Sequence, residues 1–89
     1  MPSREKITLA TLAERKRNRQ KFAVLTCYDY TFAQIEEEAG VEAILVGDSA
    51  AQVILGHPST LPVTMDFMVT LAEAVRRGAP GASSCLQRW

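Results

Sequence analysis

One carboxylate stands where a short apolar run ends. Ala43-Ile44-Leu45-Val46 is continuously apolar, Gly47 follows, and then come Asp48 and Ser49. A run that does not alternate reads as a strand buried on both faces. Asp48 then sits at the strand's carboxyl end, which is where ligands bind in α/β proteins with parallel strands. A carboxylate there is a hard oxygen ligand, suited to Mg²⁺ or a similar ion. Ser49, taken alone, reads as an ordinary turn or helix-cap serine. Thr26 and Tyr28 close a second apolar run, Phe22 to Tyr28, and line the same pocket if the two runs are neighbouring strands. His57 is the only histidine. In a loop, without a partner of matching chemistry nearby in sequence, it reads as structural. Glu36, Glu37 and Glu38 could suggest a second metal site, but consecutive helical positions point 100° apart and do not converge on one ion. They read as a solvated face. Cys27 and Cys85 lack metal-ligand spacing, and without a secretory signal a disulfide is not expected. They read as a buried strand thiol and a tail thiol.

The elements that must position these residues follow from local signals. Thr8 can cap a helix over residues 8–19, with Ile7 and Leu12 as a hydrophobic staple. Leu9, Leu12 and Ala13 form its narrow apolar stripe. The cations Arg15, Lys16, Arg17, Arg19 and Lys21 complement the carbonyls at its end. Residues 22–28 are a buried strand, apolar and partly β-branched. Asp29 caps a helix over 30–39, with Phe32, Ile35 and Ala39 on its apolar side and Gly40 as its left-handed stop. Residues 43–47 form the second strand. A helix between two strands makes a crossover, so the strands are expected to be parallel. The loop from Asp48 to Val63 is 16 residues long, which favours function over simple linkage. Gly56, Pro58 and Pro62 argue against regular helix through most of it, with room for a short strand or hairpin around 52–55. Thr64 caps a helix over 65–77, whose Met68, Leu71, Ala72 and Val75 share one buried face. Asp66 suits the positive end of its dipole, and Gly78 and Pro80 stop it. A third strand is due next. Residues 81–89 carry no strand pattern and are expected to be disordered.

Composition bounds the function classes. Hydrophobic residues make up 47% and charged residues 22%, a globular balance in a chain of 89 residues, room for one small domain. Formal net charge is zero. Residues 1–21 carry seven Lys or Arg against two Glu, residues 22–75 carry eight acidic residues and no basic one, and residues 76–89 add three Arg. The basic first segment has no aromatic interleaving or nucleic-acid reader motif, so it reads as a solvated helix end and no nucleic-acid partner is expected. No stretch approaches the ~20 apolar residues that span a bilayer. Met1 to Lys6 lacks the apolar core of a signal peptide, which leaves a cytoplasmic location as the expectation.

Several motifs in order carry a resemblance. Leu25-Thr26-Cys27-Tyr28-Asp29-Tyr30, Val46-Gly47-Asp48-Ser49, Gly56-His57, Ser59-Thr60-Leu61-Pro62-Val63-Thr64 and Val75-Arg76-Arg77-Gly78-Ala79-Pro80 resemble ketopantoate hydroxymethyltransferase, also called 3-methyl-2-oxobutanoate hydroxymethyltransferase. The resemblance runs from about Thr8 to Pro80 and is not followed beyond it. It implies an α/β fold, the N-terminal portion of a (β/α)₈ barrel with an extra N-terminal helix, of which this chain supplies two strands. It implies transfer of a hydroxymethyl group from 5,10-methylenetetrahydrofolate to 3-methyl-2-oxobutanoate on the route to pantothenate and coenzyme A. It also implies Mg²⁺ and homo-oligomeric assembly. Carried over residue by residue, Asp48 is a metal ligand, and Asp48 with Ser49 contacts the substrate. Ser49 would hydrogen-bond the substrate carboxylate or keto oxygen.

The resemblance also implies what is missing. The family's second metal-binding aspartate lies on the third strand, just beyond Pro80, and its substrate lysine and base glutamate lie further on; none has a counterpart here, so no catalytic residue is assigned. A barrel of this type takes about 250 residues. The expectation is a truncated or frame-shifted member: residues 1–80 as barrel sequence, 81–89 as an unrelated tail, inactive on its own. Two other readings stand beside it. One is a different Mg²⁺-dependent barrel acting on 2-oxo acids or phosphoenolpyruvate, such as an isocitrate-lyase-like enzyme, although Thr60-Leu61-Pro62-Val63-Thr64 favours the transferase. The other is a non-catalytic interaction piece that binds a partner through its basic helix and strand edges.

Overall fold

The apolar run that ends in Asp48 is the middle strand of a three-stranded parallel sheet. The computed structural model describes residues 5–87. In chain order the elements are α1 (Leu9–Arg17), β1 (Val24–Thr26), α2 (Tyr30–Ala39), β2 (Ala43–Gly47), a single helical turn α3 (Ala50–Val53), α4 (Met65–Gly78) and β3 (Ser83–Gln87), with the strands ordered β1-β2-β3. β1 and β2 pair in parallel, Val24 opposite Ala43 and Thr26 opposite Leu45. β2 is buried at four of its five positions, as a strand flanked on both edges must be. α4 lies against β2, β3 and α2. The main core gathers Cys27, Ala33, Val41, Ile44, Val46, Val75, Ala79 and Ala82, with Leu71 and Ala72 packed on it. A smaller cluster of Ala51, Val63 and Met68, joined by Phe67, closes the loop onto α4. The expected face of α4 is thus the observed one. No helix among the described residues is long and apolar enough to cross a membrane.

The helix ends form where short-range chemistry puts them. Thr8 accepts from the Thr11 N–H at 3.2 Å and completes a reciprocal box with the Thr11 hydroxyl. Asp29 accepts from Phe32 N–H at 2.9 Å, and Thr64 from Phe67 N–H at 3.1 Å. Each satisfies an amide the first turn would leave orphaned, a contribution of about 1 kcal/mol per cap. Gly40 ends α2 at φ +86°, a region where a Cβ is strained.

Residues 81–87 overturn the expectation of a disordered tail and raise the strand count from two to three. Ser83–Gln87 pairs in parallel with β2, Ala43 opposite Ser83 through Gly47 opposite Gln87. Nothing in the side chains of Ser83-Ser84-Cys85-Leu86-Gln87 marks a strand. The drive comes from the backbone, because β2 offers a second edge whose amides and carbonyls otherwise lack partners. Three hydrogen bonds hold the turn into β3. The Glu37 carboxylate accepts from Gly81 N–H at 2.8 Å and Ala82 N–H at 3.2 Å, and Ile7 N–H donates to the Gly81 carbonyl at 2.7 Å. Ser83 N–H then donates to the Glu42 carbonyl at 2.9 Å and starts the ladder. Residues 88 and 89 of the expected tail lie outside the described residues.

Four further expectations change. β1 is exposed at all three positions rather than buried, since β2 is the one strand beside it. Residues 50–53 form a helical turn, not the strand or hairpin placed near 52–55. On α2 it is Ala33 that is buried, while Phe32 and Ile35 are more than half exposed. Glu37 turns to the β3 turn instead of to water.

Glu42 ties the first helix to the sheet. Its carboxylate is hydrogen-bonded and ion-paired to the Arg15 guanidinium and accepts from Ala23 N–H at 3.1 Å. Arg15 is therefore not simply solvated as its basic run suggested. The Ala23 amide first, and Arg15 as well, hold the Glu42 carboxyl below the usual value near 4.5. A depressed acid contributes stability that is fully present above that value and is lost as pH falls through the lowered one. Glu42→Gln is expected to lower Tm at pH 7, for a stability loss within the ~1 kcal/mol of part-exposed pairs, and to lower it by less at pH 3. An equal loss at both pH values would show that the charge is not the cause.

Candidate functional site

The carboxyl ends of β1 and β2 bring the four expected residues to one end of the sheet. In-register parallel pairing puts Thr26 beside Leu45, so the residues just past each strand, Tyr28 and Asp48-Ser49, emerge side by side. The Tyr28 hydroxyl is hydrogen-bonded to the Ser49 hydroxyl across that gap, 21 positions apart in sequence. Among the described residues Asp48 is the one charged side chain that is buried, 5% exposed. Its own carbonyl accepts from Ala51 N–H at 3.1 Å, which turns the chain into α3. Ser49 precedes that turn but makes no side-chain cap with it. Its hydroxyl is engaged by Tyr28 instead, so the helix-cap reading of this serine does not hold.

Beside this pair runs an open groove of about 430 Å³, lined by Thr26, Cys27, Tyr28, Asp29, Phe32, Glu36, Val53 and Ile54. Thr26 and Tyr28 therefore face a common space. Two of its residues were read otherwise in the sequence. Glu36 is half-buried rather than solvated, its Oε1 is buried without a hydrogen-bond partner, and burial pushes its carboxyl above the usual range. Cys27 is buried and donates to the Asp29 carbonyl at 3.3 Å; burial pushes its thiol up as well. A thiol pushed up by burial is a poorer nucleophile than an ordinary cysteine. Only the side on which a helix packs could have distinguished Glu36 from its neighbours, and a run of three glutamates hides that side. His57 lies exposed in the loop, away from this lining.

The four expected residues offer oxygen alone: the Asp48 carboxylate and the Ser49, Tyr28 and Thr26 hydroxyls. That chemistry fits a hard divalent ion better than a soft one. Among the described residues no three His, Cys, Asp or Glu side chains gather as a cage. One carboxylate with substrate oxygens and water is nevertheless a usual way to hold Mg²⁺.

Parallel strands joined through helices define an α/β protein, a class in which ligands bind at the carboxyl ends of the strands. A family model described as ketopantoate hydroxymethyltransferase matches residues 6–86. The chain belongs to that family. The match passes Pro80 and takes in most of β3. Curated relatives named 3-methyl-2-oxobutanoate hydroxymethyltransferase include that of Marinobacter nauticus, 54% identical over 76 residues, covering 85% of this chain and 29% of the relative. That of Chlorobaculum parvum is 49% identical over 78 residues, covering 88% and 28%. That of Flavobacterium johnsoniae is 51% identical over 73 residues, covering 82% and 27%. The chain spans under a third of the length of these relatives.

Proposed function

We propose that the protein carrying this chain transfers a hydroxymethyl group from 5,10-methylenetetrahydrofolate to 3-methyl-2-oxobutanoate, giving ketopantoate for pantothenate synthesis. The observation that carries the reading is the buried Asp48 beside Ser49 at the end of the central strand, in a chain of this family. Such a reaction needs a proton removed next to a ketone and the resulting enolate stabilised. Mg²⁺, when bound, supplies Lewis-acid stabilisation where that negative charge develops.

The chain's own residues bind and orient. Asp48 supplies an oxygen ligand from a strand end fixed by pairing on both edges of β2, so its position varies little. Ser49 donates to the carboxylate or keto oxygen of the 2-oxo acid. Thr26 and Tyr28 wall the adjoining space. The groups that abstract the proton lie outside these 89 residues in this reading, on further strands of a (β/α)₈ barrel; β3, the third strand, on which the resemblance implies the second metal-binding aspartate, carries no carboxylate in Ser83–Gln87. Exposed Phe32, Ile35 and Leu61 then have surface to bury against those strands and between subunits of a homo-oligomer. The test is ketopantoate formation from 3-methyl-2-oxobutanoate and methylenetetrahydrofolate with Mg²⁺, using the gene product that carries this chain. Turnover dependent on all three is expected; a pure, folded product with no turnover above buffer would overturn the reading.

A further inference from the structure

We propose that Tyr28 is a positioning residue that acts through Ser49: its phenol donates to Ser49 Oγ and so turns the serine O–H toward the 2-oxo acid. This rests on the substrate reading above and adds a residue to it. Tyr28 and Ser49 follow different strands, and their hydroxyls meet in a hydrogen bond at the mouth of the β1–β2 pair. Tyr28 is half-buried, and Ser49 is half-buried next to buried Asp48. A serine hydroxyl has one proton and two lone pairs. A carboxylate or keto oxygen can only accept. With such a ligand bound, Ser49 must spend its one proton on the ligand, and the bond to Tyr28 survives only with the phenol as donor. A phenol O–H is a donor as well as an acceptor, so the reversed direction is open to it. Charge on the ligand strengthens the Ser49 bond, and that polarises the next bond in the chain.

A tie that only braced the two strand ends would act on stability and leave ligand affinity alone. The two roles separate in a cycle of Tyr28→Phe, Ser49→Ala and the double variant, made in the gene product that carries the chain. Tyr28→Phe is expected to raise KM for 3-methyl-2-oxobutanoate about 3- to 10-fold, the range of one net hydrogen bond. The kcat and the KM for methylenetetrahydrofolate are expected to stay within twofold, the signature of lost uniform binding. In the Ser49→Ala background the same change is expected to do nothing further, since the group it positions is gone. Should Tyr28→Phe fail to fold, a singly fluorinated tyrosine at position 28 keeps the shape and strengthens the donor; KM then falls. Additive effects in the cycle, or an unchanged KM in Tyr28→Phe or with the fluorinated residue, would overturn the role of Tyr28 and leave the function standing. No turnover by the folded, unsubstituted protein overturns the function instead.

Discussion

Asp48→Asn in the gene product that carries this chain is expected to lower kcat/KM for ketopantoate formation by about 10²–10³-fold, the scale of removing one preorganised electrostatic group. Asparagine keeps the shape and one oxygen but loses the charge that a hard cation is held by. The Asp48 carbonyl receives the Ala51 amide that starts α3, a backbone bond that asparagine keeps. Strand β2 stays paired on both edges. Circular dichroism and a thermal melt of the variant separate loss of the metal ligand from loss of the fold. Chelation gives an independent route to the same state. With EDTA, the unsubstituted protein should fall toward the rate of the variant, and added Mg²⁺ should restore it but not Asp48→Asn. A variant that keeps activity within threefold, or an unsubstituted protein indifferent to chelation, would remove Asp48 from the metal site.

The ends of elements were readable in the sequence because they depend on neighbours a few residues away. Thr8, Asp29 and Thr64 cap as their types dictate, and Gly40 takes the left-handed stop. The central strand was readable because burial on both faces leaves a continuous apolar run. That run also fixes where Asp48 lies, and hence which end of the sheet carries the candidate site. Strand β3 was not readable. Its residues are chosen by an edge of β2 and by Glu37, 44 positions before the Gly81 amide it binds. Side-chain periodicity holds no record of such a contact. The same holds for Glu36, whose burial follows from the groove between α2 and α3 and not from its place in an acidic run. Nor did the apolar residues Phe32 and Ile35 mark the packed side of α2. A small residue, Ala33, marks it, because the neighbouring helix approaches too closely for a large one.

That close approach sets the other large effect. Gly78 ends α4 where α4 crosses α2, and its φ lies outside the left-handed region, so conformational freedom is not its reason for being glycine. Space is. A Cβ built there would lie 2.6 Å from the Tyr30 carbonyl oxygen, 2.8 Å from Ala33 Cβ and 3.3 Å from Gln34 N. Two of these three neighbours are backbone atoms and cannot rotate away. Helix propensity alone favours Gly78→Ala by up to about 1 kcal/mol. Forcing the helices apart costs more, since overpacking a close contact typically costs about 1–3 kcal/mol and the displacement carries through Val75 and Ala79 into the core. The expected result is a net loss of about 1–2 kcal/mol for Gly78→Ala and a larger one for Gly78→Val, read by denaturant unfolding at constant m-value. Ala33→Gly in the Gly78→Ala background should recover only part of the loss. It removes the contact at 2.8 Å and leaves the one with the Tyr30 carbonyl. If Gly78→Ala instead raises the midpoint, propensity has won and the close helix crossing is not as drawn.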